Sequence, residues 1–398
     1  MKSRNVLRDL TIFMLLLASL ACSLIGSQPG TAVPVPSAEP DSHTEAAPSL
    51  HVTAITTGVV HACALLSNGK VKCWGSNDTG QLGDGTDQDR NAPIEVPNLS
   101  DVAAISAGGG HTCALTNTGA VKCWGQNTSG QLGDGTKDKR LAAVSVSGLT
   151  DIVSLSAGAE HTCAITTAGE AKCWGKNLYG RVGDGSNTRI IPSPVTVAGL
   201  DAGVLAISPG DEHTCAITEG GSVKCWGNNG FGQIGNDTTR NKNSPTDVTG
   251  LANGIRAIAA GSSTSCAVTE SNSVSCWGWI GLQDYYLSPH PVDGLERDIA
   301  AISVGADHIC GLTLDGVVKC LGENEYGQLG DGATSAVYSA QDVSGLGSVR
   351  SIAASFYYTC ALLGTGEVFC WGDNSSGQLG NGTNASSSEP VQVVDLSE

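Results

Sequence analysis

His111-Thr112-Cys113-Ala114-Leu115-Thr116, then Asn117-Thr118-Gly119, then Ala120-Val121-Lys122-Cys123-Trp124 is the stretch on which the fold turns. Two runs rich in β-formers flank a short turn containing glycine, which reads as a β-hairpin. Centred on Thr118, the hairpin sets 113 opposite 123, 114 opposite 122 and 115 opposite 121. Directly opposed Cβ atoms lie about 4.5–5.5 Å apart, and a modest twist brings two cysteines within bonding distance. The hairpin can therefore be stapled by its own disulfide.

The same pair recurs along the chain. Cys63 and Cys73, Cys113 and Cys123, Cys163 and Cys173, Cys215 and Cys225, Cys266 and Cys276, Cys310 and Cys320, and Cys360 and Cys370 are each ten positions apart. Around the hairpin, Val102-Ala103-Ala104-Ile105 reads as an inner strand and Ala107-Gly108-Gly109-Gly110 as a turn. A glycine-rich loop covers residues 126–136, and Val144-Ser145-Val146 reads as a fourth strand. Four strands repeated seven times, with no helical period, predict an all-β protein, a seven-bladed β-propeller of four-stranded antiparallel blades over 51–398 with one disulfide per blade. The Gly count of 53 suits the many tight turns this needs. The last Pro-x-x-Val segment, Pro390-Val391-Gln392-Val393-Val394, is expected to close the ring by pairing with blade 1 near residues 52–55.

The units His111-Thr112-Cys113-Ala114-Leu115, Gly119-Ala120-Val121-Lys122-Cys123-Trp124-Gly125 and Asn127-Thr128-Ser129-Gly130-Gln131-Leu132-Gly133 closely resemble the repeat of the regulator of chromosome condensation family. Gly80-Gln81-Leu82-Gly83, Gly327-Gln328-Leu329-Gly330 and Gly377-Gln378-Leu379-Gly380 carry the same signature. The resemblance implies a seven-bladed propeller. Some members are nuclear guanine-nucleotide exchange factors for a small GTPase, and some bacterial members are secreted inhibitors of β-lactamase. The paired cysteines resemble the secreted bacterial branch and depart from the nuclear one.

Composition narrows the setting. The formal charge is -17, which disfavours nucleic acid and anionic membrane surfaces as partners. Fourteen paired cysteines argue for an oxidising compartment, and the fifteenth is Cys22. Lys2, Arg4 and Arg8 precede an apolar run over residues 10–21 that is too short to span a bilayer, which takes roughly 20 residues. Residues 1–21 thus read as a signal peptide. Ser19-Leu20-Ala21-Cys22 resembles a lipoprotein signal that would make Cys22 the lipidated first residue, although Ser19 stands where Leu is usual; an ordinary cleaved signal is the other reading. Residues 22–50, rich in Pro, Ser, Ala and Glu, read as a flexible linker carrying that cysteine. A secreted or membrane-anchored monomer at a bacterial cell surface is expected, touching the membrane only through a lipid.

Few residues invite chemistry. His61, His111, His161, His213 and His308 each precede a blade's first cysteine by two positions. A His-Cys-Cys metal site repeated blade after blade in an oxidising compartment makes less sense than histidines bonded to a neighbouring blade, and Thr264 and Tyr358 hold the position in blades 5 and 7. Trp74, Trp124, Trp174, Trp226, Trp277 and Trp371 follow the second cysteine and are expected to pack between blades, with Leu321 in their place in blade 6. Asp84-Gly-Thr-Asp87-Gln-Asp89 fits no EF-hand loop and reads as turn chemistry. No nucleophile elbow, zincin, P-loop or dinucleotide motif occurs, so no enzyme activity and no cofactor is expected.

Function should lie where the repeat breaks. Blade 5 is shortened and carries Trp279 with Tyr285 and Tyr286; blade 7 replaces its glycine turn with Ser355-Phe356-Tyr357-Tyr358. First–second and third–fourth connections leave a blade on the same side, so both departures share one face. Asp307-His308 of blade 6 would supply hydrogen bonds between them. Trp279, Tyr285, Tyr286, Phe356, Tyr357 and His308 are therefore the candidate binding residues for a protein or cell-surface polymer, local repacking being the alternative. Nucleotide exchange, enzyme inhibition and glycan cleavage remain rival functions.

Overall fold

The computed structural model describes residues 50–280 and 285–396. The expected signal segment 1–21, Cys22 and the expected linker up to 49 lie outside the described residues, as do 281–284 within the blade 5 connection and 397–398. Among the described residues twenty-eight strands, β1–β28, form seven four-stranded antiparallel sheets. Each sheet takes its strands in chain order, so blade 1 is β1 (Val52–Thr57), β2 (His61–Leu66), β3 (Val71–Gly75) and β4 (Arg90–Glu95), and blade 7 is β25–β28. One short 3-10 turn, Leu178–Gly180, is the helical element among the described residues.

The hairpin register is the one the spacing predicts. Cys113 lies opposite Cys123 and Ala114 opposite Lys122. All seven expected disulfides are formed, each within its own hairpin and with Cα atoms 4.0–4.2 Å apart. Cys63 is bonded to Cys73, Cys113 to Cys123, Cys163 to Cys173 and Cys215 to Cys225. In the last three blades Cys266 is bonded to Cys276, Cys310 to Cys320 and Cys360 to Cys370. The hairpin hydrogen bond from Leu66 N–H to Lys70 O sets the alternation that puts Cys63 and Cys73 in the closer, non-hydrogen-bonded site. Each bridge closes a small loop and adds about 2–3 kcal/mol at most by chain entropy. Every bridge is buried to 0–1% exposure, so water reaches none of them.

Among the described residues there is no central core. Apolar residues gather in seven wedges, each between two blades; one joins Leu65, Val71, Leu82 and Val96 of blade 1 to Val102, Ala114 and Trp124 of blade 2. A repeated hydrogen-bond chain crosses each regular wedge. Between blades 1 and 2, Thr112 donates its hydroxyl to the Gln81 carbonyl at 2.8 Å, and Trp124 Nε1–H donates to the same oxygen at 2.9 Å. With its own proton committed, Thr112 Oγ1 accepts from His61 Nε2–H at 2.8 Å. That fixes the Nε2–H tautomer and leaves Nδ1 bare and buried, as in all five repeat histidines. Burial holds His61 down to about 3 and His111 to about 4, and lowers the others too.

Ring closure departs from expectation. The last strand, β28 (Ser387–Gln392), pairs with β27 of its own blade rather than with residues 52–55. Blade 1 already possesses an inner and an outer strand, so no position is left for a clasp. Blades 7 and 1 join as the others do: Trp74 Nε1–H donates to Gln378 O at 2.9 Å, and Val393 and Leu396 enter the wedge with Val52 and Trp74. Ala62 replaces the usual threonine there, and the larger Tyr358 reaches over it to donate to the Gly58 and His61 carbonyls.

At one end of the central channel the first–second turns form a ring. A Cβ on Gly58, Gly108, Gly158, Gly210, Gly261 or Gly305 would come within 2.2–2.4 Å of the equivalent carbonyl oxygen in the next blade. Only glycine permits that approach. Amides of Val59, Gly109, Ala159 and Asp211 bond across the same gaps at 3.1–3.3 Å. Blade 7 has Ser355 instead, and its hydroxyl completes the circle by donating to Gly58 O at 2.6 Å.

Candidate binding face

The channel holds a cavity of about 120 Å³ lined by these turns. Small-molecule sites commonly need about 300–1,000 Å³, so the rim around its mouth is the larger surface open to a ligand. First–second and third–fourth connections meet there: Tyr326, from the third–fourth connection of blade 6, packs on Tyr357, from the first–second turn of blade 7, with ring centres 4.8 Å apart. Phe356 stands edge-on to Tyr357 at 5.8 Å.

The blade 5 group has a different construction from that expected of a loop. Trp279 ends β19 (Val274–Trp279), and Tyr285 and Tyr286 open β20 (Tyr285–Pro291). Neighbouring strand residues point to opposite sides. Tyr285 is accordingly 48% exposed, while Tyr286 packs against the blade 5–6 wedge and stacks on His290 at 4.2 Å. Trp279 and Tyr285 both meet Phe231 of blade 4, at 5.8 and 6.3 Å.

His308 does not belong to this surface. It is buried at 2% exposure and donates from Nε2 to Thr359 Oγ1 at 2.8 Å, doing for blades 6 and 7 what His61 does for blades 1 and 2. Its neighbour Asp307 is the half-buried residue at the mouth, and burial raises its carboxyl pKa.

Three aromatic residues escaped the sequence reading. Tyr179, Phe231 and Tyr326 sit immediately before the loop glycine in blades 3, 4 and 6, and are 41%, 44% and 38% exposed. The same place holds Thr79, Ser129 and Ser376 in blades 1, 2 and 7. Aligning that one column would have found them. Tyr179 is also held at φ +63, an uncommon backbone state for a bulky residue. Exposed or half-exposed aromatic side chains therefore run from blade 3 to blade 7, whereas blades 1 and 2 present small polar groups.

Carboxylates accompany them in two different states. On blades 3 and 4 the glutamates are paired. Glu160 pairs with Lys176, and Glu212 faces Arg181 NH2 at 3.4 Å and accepts from Asn228 at 2.6 Å. Arg181 replaces the repeat glutamine and donates from NH1 to Asp211 O at 2.5 Å. Burial pushes the Asp211 carboxyl up to about 6, against a bond from Ser262 and the pull of Arg181. On blade 6, no cation among the described residues pairs with Asp307, Glu323 or Glu325. Away from the mouth, Asp84 is committed to its own turn. Burial opposes its charge, but bonds from Thr86, Arg90 and Asn77 outweigh that and lower its pKa.

Comparison with known proteins agrees with this architecture. The RCC1-like domain profile matches residues 25–284, more than half of the chain, and the regulator of chromosome condensation (RCC1) repeat matches 299–328, 349–378 and 365–398. The mitochondrial RCC1 domain-containing protein RUG3 of Arabidopsis thaliana is 36% identical over 96 residues, 24% of this chain and 21% of that protein. The match thus spans about a fifth of that relative. Prp20p from Saccharomyces cerevisiae, whose crystal structure was studied with its binding to Gsp1p and histones, superposes with a TM-score of 0.73 at 22% identity, covering 83% of this chain and 87% of its own. The ectodomain of the Arabidopsis thaliana receptor kinase ACR4 superposes with a TM-score of 0.51 at 21% identity, covering 85% and 98%. With seven blades, the repeat hairpins and the profile match in agreement, the chain belongs to the regulator of chromosome condensation (RCC1) repeat family.

Proposed function

We propose that this propeller is an extracytoplasmic, non-enzymatic binding module that engages a protein partner through its aromatic face. The observation that carries the reading is the run of solvent-facing aromatics, Tyr179, Phe231, Tyr285, Tyr326 and Tyr357, each at least 38% exposed and all in the connections or strand ends around one rim. Proteins rarely leave such side chains in water without a use, and interfaces enrich them as anchors. Seven buried disulfides support export to an oxidising compartment. The signal-like segment 1–21 and Cys22 support secretion with a lipid anchor, and no helix among the described residues is long and apolar enough to cross a membrane. The ACR4 ectodomain is a precedent for this architecture outside a cell, and Prp20p for protein binding by it.

The test is capture from the native cell surface with the mature domain and with the single variants Trp279→Ala and Tyr357→Ala. Each variant should weaken retention of the captured partner by about 2 kcal/mol if these side chains are anchors, while thermal unfolding stays unchanged. Normal capture by both variants would refute the reading.

A further inference from the structure

The blade 6–7 sector of this rim combines two features. The first is a corner of aromatic rings: Phe356 edge-on to Tyr357 at 87°, and Tyr326 against Tyr357 at 33°. The second is carboxylate without countercharge. Asp307, Glu323 and Glu325 have no ion-pair partner among the described residues, whereas Glu160 and Glu212 across the mouth have Lys176 and Arg181. The two features are adjacent: Glu325 directly precedes Tyr326, whose ring packs on Tyr357 at 4.8 Å, Glu323 N–H donates to Asp307 O at 2.9 Å, and the Gly305 turn of blade 6 abuts the Ser355 carbonyl of blade 7. In keeping with this, burial first and then Asp307, Tyr326 and Glu325 raise the pKa of the Tyr357 hydroxyl.

Aromatic faces and carboxylates attract the same kind of ligand, because both present negative charge to an approaching cation. A partly desolvated carboxylate such as Asp307 gains most from a countercharge that the fold itself does not provide. The chain as a whole carries -17, which steers cations towards it. We infer that the blade 6–7 corner receives a cationic side chain, lysine or arginine, of the protein partner, held between the Tyr326–Tyr357–Phe356 rings and the Asp307 and Glu325 carboxylates. This rests on the proposed function and specifies the chemistry of its partner. Blades 4 and 5, with Phe231, Trp279 and Tyr285, would hold an uncharged part of the same partner.

The test uses the mature domain and a fluorescein-labelled peptide of alternating lysine and glycine, with its Nζ-acetylated twin, followed by anisotropy at about 0.15 M salt, where surface charges beyond about 8 Å are screened. The lysine peptide should bind and the acetylated twin should not. Tyr357→Leu and Tyr326→Leu, which change no charge, should each weaken binding about three- to five-fold. Asp307→Asn should weaken it more than Asp247→Asn on the outer strand of blade 4. Equal binding of the twin, or affinity that follows net charge and ignores both tyrosines, would overturn the inference. If Trp279→Ala and Tyr357→Ala abolish capture of the native partner while the lysine peptide fails to bind, the face stands and its cation preference falls.

Discussion

Replacing His111 with glutamine isolates one proton of the inter-blade network. His111 is fully buried, its Nε2–H donates to Thr162 Oγ1 at 2.9 Å, and its Nδ1 has no partner. A second proton would have to sit on that Nδ1, facing no acceptor, and burial holds the pKa to about 4 against 6.5 in the unfolded chain. The folded value is the lower one, so the unfolded chain protonates first. The contribution is complete above pH 6.5 and is lost as pH falls towards 4. One unit of pKa difference is worth about 1.36 kcal/mol, so this histidine alone removes about 2 kcal/mol between pH 7 and pH 5. Glutamine can keep the bond to Thr162 without titrating. Guanidinium unfolding of oxidised wild type and His111→Gln at the two pH values should show the variant less stable at pH 7, with the gap narrowing by about 2 kcal/mol at pH 5. Parallel pH profiles would refute the argument, since they would mean that His111 binds its proton equally in both states.

Two further outcomes follow from the wedges and the hairpins. Leu321→Trp restores the repeat consensus in blade 6, yet it should destabilise by about 2–4 kcal/mol in denaturant titration, because the indole overfills an apolar wedge and its N–H lacks the repeat carbonyl that serves the other blades; an unchanged midpoint would count against that account. Alkylation of the native, non-reduced mature domain should leave all fourteen repeat cysteines unmodified by mass, and free thiols in most blades would remove the support for an oxidising compartment.

What the sequence made legible was whatever repeats. The hairpin register, the seven staples and the inter-blade tryptophans recur with fixed spacing, and a fixed spacing in antiparallel strands fixes a facing partner. Cys173, Cys225, Cys276, Cys320 and Cys370 each face the cysteine ten positions before them for that reason. Ring closure did not repeat and was misjudged. A propeller whose blades are whole in the chain and one whose terminal strands share a blade present nearly the same string of strands, and only the pairing of β28 with β27 separates them. His308 was drawn to the surface by its neighbour Asp307, although its repeat position already marked it as a wedge histidine. Tyr179, Phe231 and Tyr326 are hard to see in the sequence for the opposite reason: they lie inside regular repeats, at a column that carries no break in the pattern.

Blade 5 shows that its departure is a consistent exchange rather than decay. Its shortened connection lacks the Gly-Gln-Leu-Gly unit whose glutamine carbonyl accepts from threonine and tryptophan of the following blade. Leaving those donors buried without an acceptor would cost about 1–3 kcal/mol each. In blade 6 both are absent: Ile309 stands for the threonine and Leu321 for the tryptophan, and the blade 5 histidine that would have donated to that threonine is Thr264. Ile280, Ile309 and Leu321 close the gap as an apolar contact, so the wedge loses a polar network without orphaning any member of it. Local repacking is therefore present, and Tyr286 belongs to it. It does not account for Tyr285, 48% exposed beside it, or for Phe231 of blade 4, 44% exposed against Trp279 and Tyr285. A blade that merely degenerates has no reason to place an exposed tyrosine beside its buried one, whereas a shortened rim that displays Tyr285 and Trp279 against Phe231 does.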